Sequence, residues 1–94
     1  MRGYRVLATN VWLAGNELDV VARRGRQLVF SEVKSKAGPR YGDPLEMVTP
    51  EKVRRVRRAA EAWLARHPEH GACDVRFDVV AVRGRRLECL RDAF

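Results

Sequence analysis

Thr49-Pro50 opens the one clear helix of this chain, and that solitary helix constrains the fold more than any other feature. Threonine suits an N-cap because its hydroxyl accepts a free backbone N–H. Proline suits the first helical position because it has no N–H to leave unpaired. Val53, Val56, Ala60, Trp63 and Leu64 follow helical spacing and predict a buried stripe. Lys52, Arg54, Arg55, Arg57 and Arg58 take much of the remaining circumference, and His67-Pro68 ends the helix.

The other periodic segments have period two and read as strands: residues 4–9, 17–23, 27–34, 75–82 and a short 86–90. Gly15-Asn16 is a turn signal between the first pair. The first three strands lie close in sequence and favour an antiparallel meander. Strand 3, helix and strand 4 suit a parallel crossover. The order β-β-β-α-β-β predicts an α/β fold with a mixed central sheet. Ninety-four residues make one domain, 1–94, with a small core.

Strand 3 carries the chemistry. Its apolar run Leu28-Val29-Phe30 ends in Glu32-Val33-Lys34, and Glu17-Leu18-Asp19 lies on the strand before it. Period two puts Glu17 and Asp19 on one face of strand 2, and Glu32 and Lys34 together on strand 3. A type II′ turn at Gly25-Arg26 pairs Arg24 with Gln27, sets Asp19 opposite Glu32, and sets Glu17 opposite Lys34. A turn at Arg24-Gly25 would set Glu17 against Glu32 instead, on the same face. Opposed carboxylates repel unless a cation lies between them. Oxygen ligands favour Mg²⁺ or Mn²⁺. Lys34 would add a charge that orients water or stabilises a pentavalent phosphorus. Glu-x-Lys alone is common at solvated strand ends; the registered pair is what points to chemistry.

Asp19 followed by Glu32-x-Lys34 resembles the D…(D/E)-x-K signature of the restriction-endonuclease-like superfamily. Gly3-Tyr4-Arg5-Val6-Leu7, Asn10, Glu17-Leu18-Asp19-Val20-Val21, Tyr41-Gly42, Lys52 and Arg76-Phe77-Asp78-Val79-Val80 extend the likeness to the YraN-type family, itself similar to Holliday-junction resolvases. The resemblance implies a restriction-endonuclease-like core. It implies Asp19 and Glu32 as metal ligands, joined by the Val33 carbonyl, with Lys34 as catalytic lysine and Glu17 as auxiliary acid. The implied activity is a metal-dependent endonuclease hydrolysing DNA phosphodiester bonds, on branched or damaged DNA. The alternative is a nucleic-acid-binding protein of the same fold that does not cut. Members of the family usually carry a further helix before strand 1, whereas this chain starts almost directly at strand 1. Either the start codon is placed late, or the site lacks a component and one sheet face is uncovered; an uncovered apolar face would favour self-association as a homodimer.

Charge supports a polyanionic partner. Nineteen Lys and Arg against twelve Asp and Glu give a net charge of +7, and DNA or another nucleic acid fits better than an anionic membrane surface. Lys36, Arg40, Lys52 and Arg55 are candidate phosphate contacts, and Tyr41 is the candidate stacking residue. The plainer reading of the helix arginines is a solvated face. Trp12 and Trp63 read as core or near-core. Asp78 suits a salt bridge to an arginine. His67, His70, Cys73 and Cys89 superficially suggest zinc, but their spacing fits a helix end and two thiols better. No apolar run is long enough to span a membrane and no signal core opens the chain. With two cysteines, the expected location is the cytoplasm.

Overall fold

The computed structural model describes residues 3–36, 49–83 and 85–93. Among them the strands are β1 (Arg5–Leu13), β2 (Asn16–Arg24), β3 (Gln27–Lys36), β4 (Asp74–Arg83) and β5 (Arg86–Leu90). The helix α1 (Pro50–Arg66) joins β3 to β4, with a 3-10 turn at Pro68–His70. The sheet runs β1-β2-β3-β4-β5 in space. Only β3–β4 is parallel. This is the expected α/β architecture with a mixed sheet.

Thr49 is the N-cap of α1: its backbone is extended and its Oγ1 accepts the Lys52 N–H at 3.2 Å. At the other end His67 leaves helical geometry, donates its N–H to the Leu64 carbonyl, and precedes Pro68. The buried helix face holds Val56, Ala59, Ala60 and Trp63. It packs on one side of the sheet, where Phe30 and Phe77 are register partners with rings stacked 5.5 Å apart. The Trp63 ring meets Phe30 edge-on at 5.8 Å. Burying aromatic groups of this size is the largest single contribution to a small core.

The histidines serve this packing. His67 and His70 stack on Trp63 at 4.0 and 5.5 Å. His67 Nδ1 lies 2.8 Å from the Trp63 carbonyl, and His70 Nδ1 accepts from Arg23 Nη1 at 2.8 Å. Arginine can only donate, so the neutral His70 ring carries its proton on Nε2. No three His, Cys, Asp or Glu side chains gather as a metal cage among the described residues. Asp78 is buried and takes both Arg76 Nε and Nη2, at 3.0 and 3.1 Å, as expected of a salt bridge.

Three local expectations are corrected. β1 runs on to Leu13 instead of stopping at Thr9. The β1–β2 turn falls at Ala14-Gly15, both with positive φ (52° and 77°), with Leu13 pairing Asn16. A turn with two such residues matches the twist of the hairpin, so the register follows it rather than Gly15-Asn16. Trp12 is 70% exposed and not near the core, whereas Trp63 is buried as expected. The Gly25-Arg26 turn is found as expected: Arg24 pairs Gln27 and Gly25 has φ 57°. No described helix is long and apolar enough to cross a membrane.

Candidate active site

The α1-facing surface of the sheet changes character along β2 and β3. Val21 and Phe30 are paired and buried. Further along the two strands come Asp19 and Glu32, and then Glu17 and Lys34, and all four line one cavity. The β2–β3 ladder closes at Val20–Ser31. Beyond it, the Val33 N–H donates to Asp19 Oδ2 at 2.8 Å. A side-chain oxygen thus takes the place of a strand carbonyl where the two strands part, and this bond fixes the Asp19 carboxylate against β3.

The cap that starts α1 also delivers Lys52 to this face. Glu32 Oε1 accepts from Lys52 Nζ at 2.8 Å and from Lys34 Nζ at 3.1 Å. The Glu32 side chain is only 14% exposed, and its second oxygen, Oε2, is buried with no hydrogen-bond partner among the described residues. A buried carboxylate oxygen left in that condition is costly. It marks a position where a cation would be favoured.

The protonation states follow from this crowding. The Lys34 ammonium is held above its ordinary value, first by its hydrogen bond to the Lys52 amine and then by Glu32 and Asp19, with burial opposing. Lys52 lies below its ordinary value, first because burial penalises its charge and also because Lys34 is adjacent, with Glu32 opposing. Of the two amines, Lys34 keeps its proton and Lys52 releases one more readily. Glu17 is held above its ordinary value, first by a hydrogen bond with Asp19, then by burial and by the charges of Asp19 and Glu32.

A cavity of about 400 Å³ collects these groups. Glu17, Asp19, Glu32, Val33, Lys34, Lys52 and Arg55 all line it. Sequence reasoning named each of these seven residues. It missed Trp12, which lines the same cavity and pairs Glu17 across the β1–β2 hairpin. The signal was present: continuing the hairpin through Ala14-Gly15 sets Trp12 opposite Glu17. Lys36 belongs to β3 and pairs Arg83, but its side chain is not among those described. Arg40 and Tyr41 lie outside the described residues.

A family model described as "Uncharacterised protein family UPF0102" matches residues 1–82. The chain belongs to this family. The UPF0102 chain is 54% identical over 85 residues to a UPF0102 protein of Mycolicibacterium vanbaalenii, covering 89% of this chain and 69% of the relative. It is 43% identical to one of Acidothermus cellulolyticus, covering 98% and 80%. It is 40% identical over 94 residues to the UPF0102 protein YraN of Escherichia coli, covering 99% and 72%. The YraN-type resemblance carried by the motifs is therefore the family of this UPF0102 chain. None of these names states an activity, so the chemistry rests on the site.

Proposed function

We propose that this UPF0102 protein is a metal-dependent nuclease that hydrolyses DNA phosphodiester bonds. The observation that carries the reading is the divided state of Glu32: one oxygen held by Lys34 and Lys52, the other buried without a partner, in a cavity shared with Asp19 and Glu17. The donor chemistry suits Mg²⁺ or Mn²⁺, being carboxylate oxygen throughout. The described residues form no closed cage of three such ligands. Mg²⁺ needs no such cage, since it keeps several waters and uses one or two carboxylates together with substrate phosphate. Asp19 and Glu32 would hold the ion, and the Val33 carbonyl is a third candidate donor. A bound ion supplies Lewis-acid stabilisation of the phosphate and a more acidic water.

The chain's own groups do the rest. The Val33 N–H keeps Asp19 oriented toward β3. Lys34, held protonated, supplies positive charge to the phosphoryl oxygens rather than acting as a base. Lys52 bridges α1 to Glu32 and so ties the helix N-terminus, which itself favours anions, to the site. Arg55 is exposed on the same cavity and suits backbone phosphate.

The test is cleavage of linear duplex, single-stranded and four-way-junction DNA with Mg²⁺ or Mn²⁺, with Glu32→Ala as control. Wild type should cut at least one substrate and Glu32→Ala none. Mn²⁺ should also raise the melting temperature of wild type, and Asp19→Ala should lose that rise. Absence of cutting and of the metal-dependent rise would overturn the nuclease reading. One observation favours a second reading, DNA binding without cleavage: two ammonium-bearing side chains already neutralise Glu32. Under that reading, Glu32→Gln would strengthen DNA binding in the absence of metal.

A further inference from the structure

Among the described residues, Trp12 is the exposed aromatic side chain that the proposed reaction leaves without a role. Its exposure is 70%, against 2% for Trp63. Tryptophan is enriched at binding surfaces, where its apolar ring and N–H can both be used. Its backbone is well anchored: Val11 pairs Leu18, Leu13 pairs Asn16, and Leu13 and Leu18 are both buried. The ring therefore stands on a fixed strand, opposite Glu17, on the rim of the cavity that holds Lys34, Lys52 and Arg55.

An aromatic face on one side of a cavity and cations on another match the two halves of a nucleotide. A base stacks on the ring while its phosphate meets the ammonium groups. In an intact duplex both faces of every base are covered by neighbours. A side chain on a strand can stack only on a base that is unpaired, in an overhang, a flap, a junction or a lesion.

We infer that Trp12 is a stacking platform for an unpaired base beside the scissile phosphate, so that the substrate class is DNA with exposed bases and not continuous duplex. This inference rests on the nucleic-acid reading of the cavity, but it concerns binding and can be tested without cleavage.

The test uses labelled oligonucleotides in the absence of divalent metal, comparing a single strand with a blunt duplex of equal length. Trp12→Ala should weaken single-strand binding by about 5- to 100-fold, and Trp12→Phe by much less. Duplex affinity should change less than about twofold, since phosphate contacts remain. In a Trp63→Phe chain, where Trp12 is the remaining tryptophan, single-stranded DNA should quench the emission and duplex should not. The comparison with labelled oligonucleotides needs no change at Trp63, so it stands if that core substitution fails to fold. Equal weakening of both DNA forms, or no weakening, would overturn the inference. So would Trp12 emission that changes with protein concentration in the absence of DNA, which would make Trp12 a contact between copies. If single-strand binding depends on Trp12 but nothing is cut with any metal, the stacking role stands and the nuclease reading alone fails.

Discussion

The two halves of the β2–β3 pair are built from the same alternation and reach opposite ends. Toward the Gly25 turn the ladder is closed, from Arg24–Gln27 to Val20–Ser31, and its helix-facing side chains are Val21, Leu28 and Phe30 under Trp63. Toward the Ala14 turn the strands part, and Glu17, Asp19, Glu32 and Lys34 line one cavity there. One half secures the fold. The other holds like charges close together and leaves a carboxylate oxygen buried and unpaired. Such an arrangement persists only because the apolar half over-determines the position of the charged half.

The contrast breaks first at Trp63. Trp63→Ala removes the ring on which Phe30, His67 and His70 pack. The expected loss is about 3–5 kcal/mol. Native stability for a domain of this kind is about 5–15 kcal/mol. Urea unfolding should show most of the cooperative transition gone. A loss below about 1 kcal/mol would mean that the aromatic cluster does not support the site end.

At the charged end, Glu32→Gln leaves Lys34 and Lys52 adjacent without their shared anion. Destabilisation of about 1–2 kcal/mol is expected, smaller than for Trp63 because both amines keep some access to water. Adding Lys52→Met should recover part of it, since one of the two facing charges is then gone. A Glu32→Gln chain as stable as wild type would mean that desolvation of the unpartnered oxygen already cancels both ion pairs.

The two turns extend the contrast to the backbone. Gly25 and Ala14 have nearly the same positive φ, 57° and 52°. Gly25 adopts it freely, and Ala14 does so under strain. A Cβ at Gly25 would meet nothing within 4 Å, so Gly25→Ala should cost only the dihedral penalty, about 1–2 kcal/mol. Ala14→Asn should stabilise by about 0.5–1 kcal/mol, because Asn-Gly suits a turn with two positive φ values. Thermal melts of both variants read this directly. A neutral Ala14→Asn would indicate that other contacts already hold the turn at the cavity rim.

Much of this is legible in the sequence. The helix ends, strand order and Gly25 hairpin follow from capping, period two and turn chemistry acting locally. Counting outward from Gly25-Arg26 set the carboxylates and Lys34 side by side, and they line one cavity although the ladder ends before them. Counting could not reveal where the ladder opens, because the Asp19–Val33 bond is a side chain replacing a strand carbonyl. Trp12 was misjudged for a related reason. Val11-Trp12-Leu13-Ala14 is an unbroken apolar run, so alternation gave no face, and only pairing through an alanine in a glycine-like conformation assigns one. The sharing of Glu32 by Lys52 is a tertiary contact between a helix cap and a strand, which no local pattern encodes.

The smallest expected effect lies at Glu17 and carries a sign. Its folded pKa is raised above 4.5, first by the hydrogen bond with Asp19. Below 4.5 it is protonated in both states, and its contribution to stability is present in full. As pH rises through the raised value, the folded chain gives up a proton it holds favourably, and that contribution is lost. Glu17→Gln keeps a neutral side chain at every pH. The stability gap in favour of the variant should therefore widen as pH rises from 4.5 upward. Urea midpoints of both chains across that range measure it, and added salt should shrink it. Saturating Mn²⁺ should narrow or reverse the gap, because a bound cation favours the ionised carboxylate that the variant lacks. If the gap at neutral pH is the same with and without Mn²⁺, Glu17 takes no part in holding the ion, and the charged end depends on Asp19 and Glu32 alone.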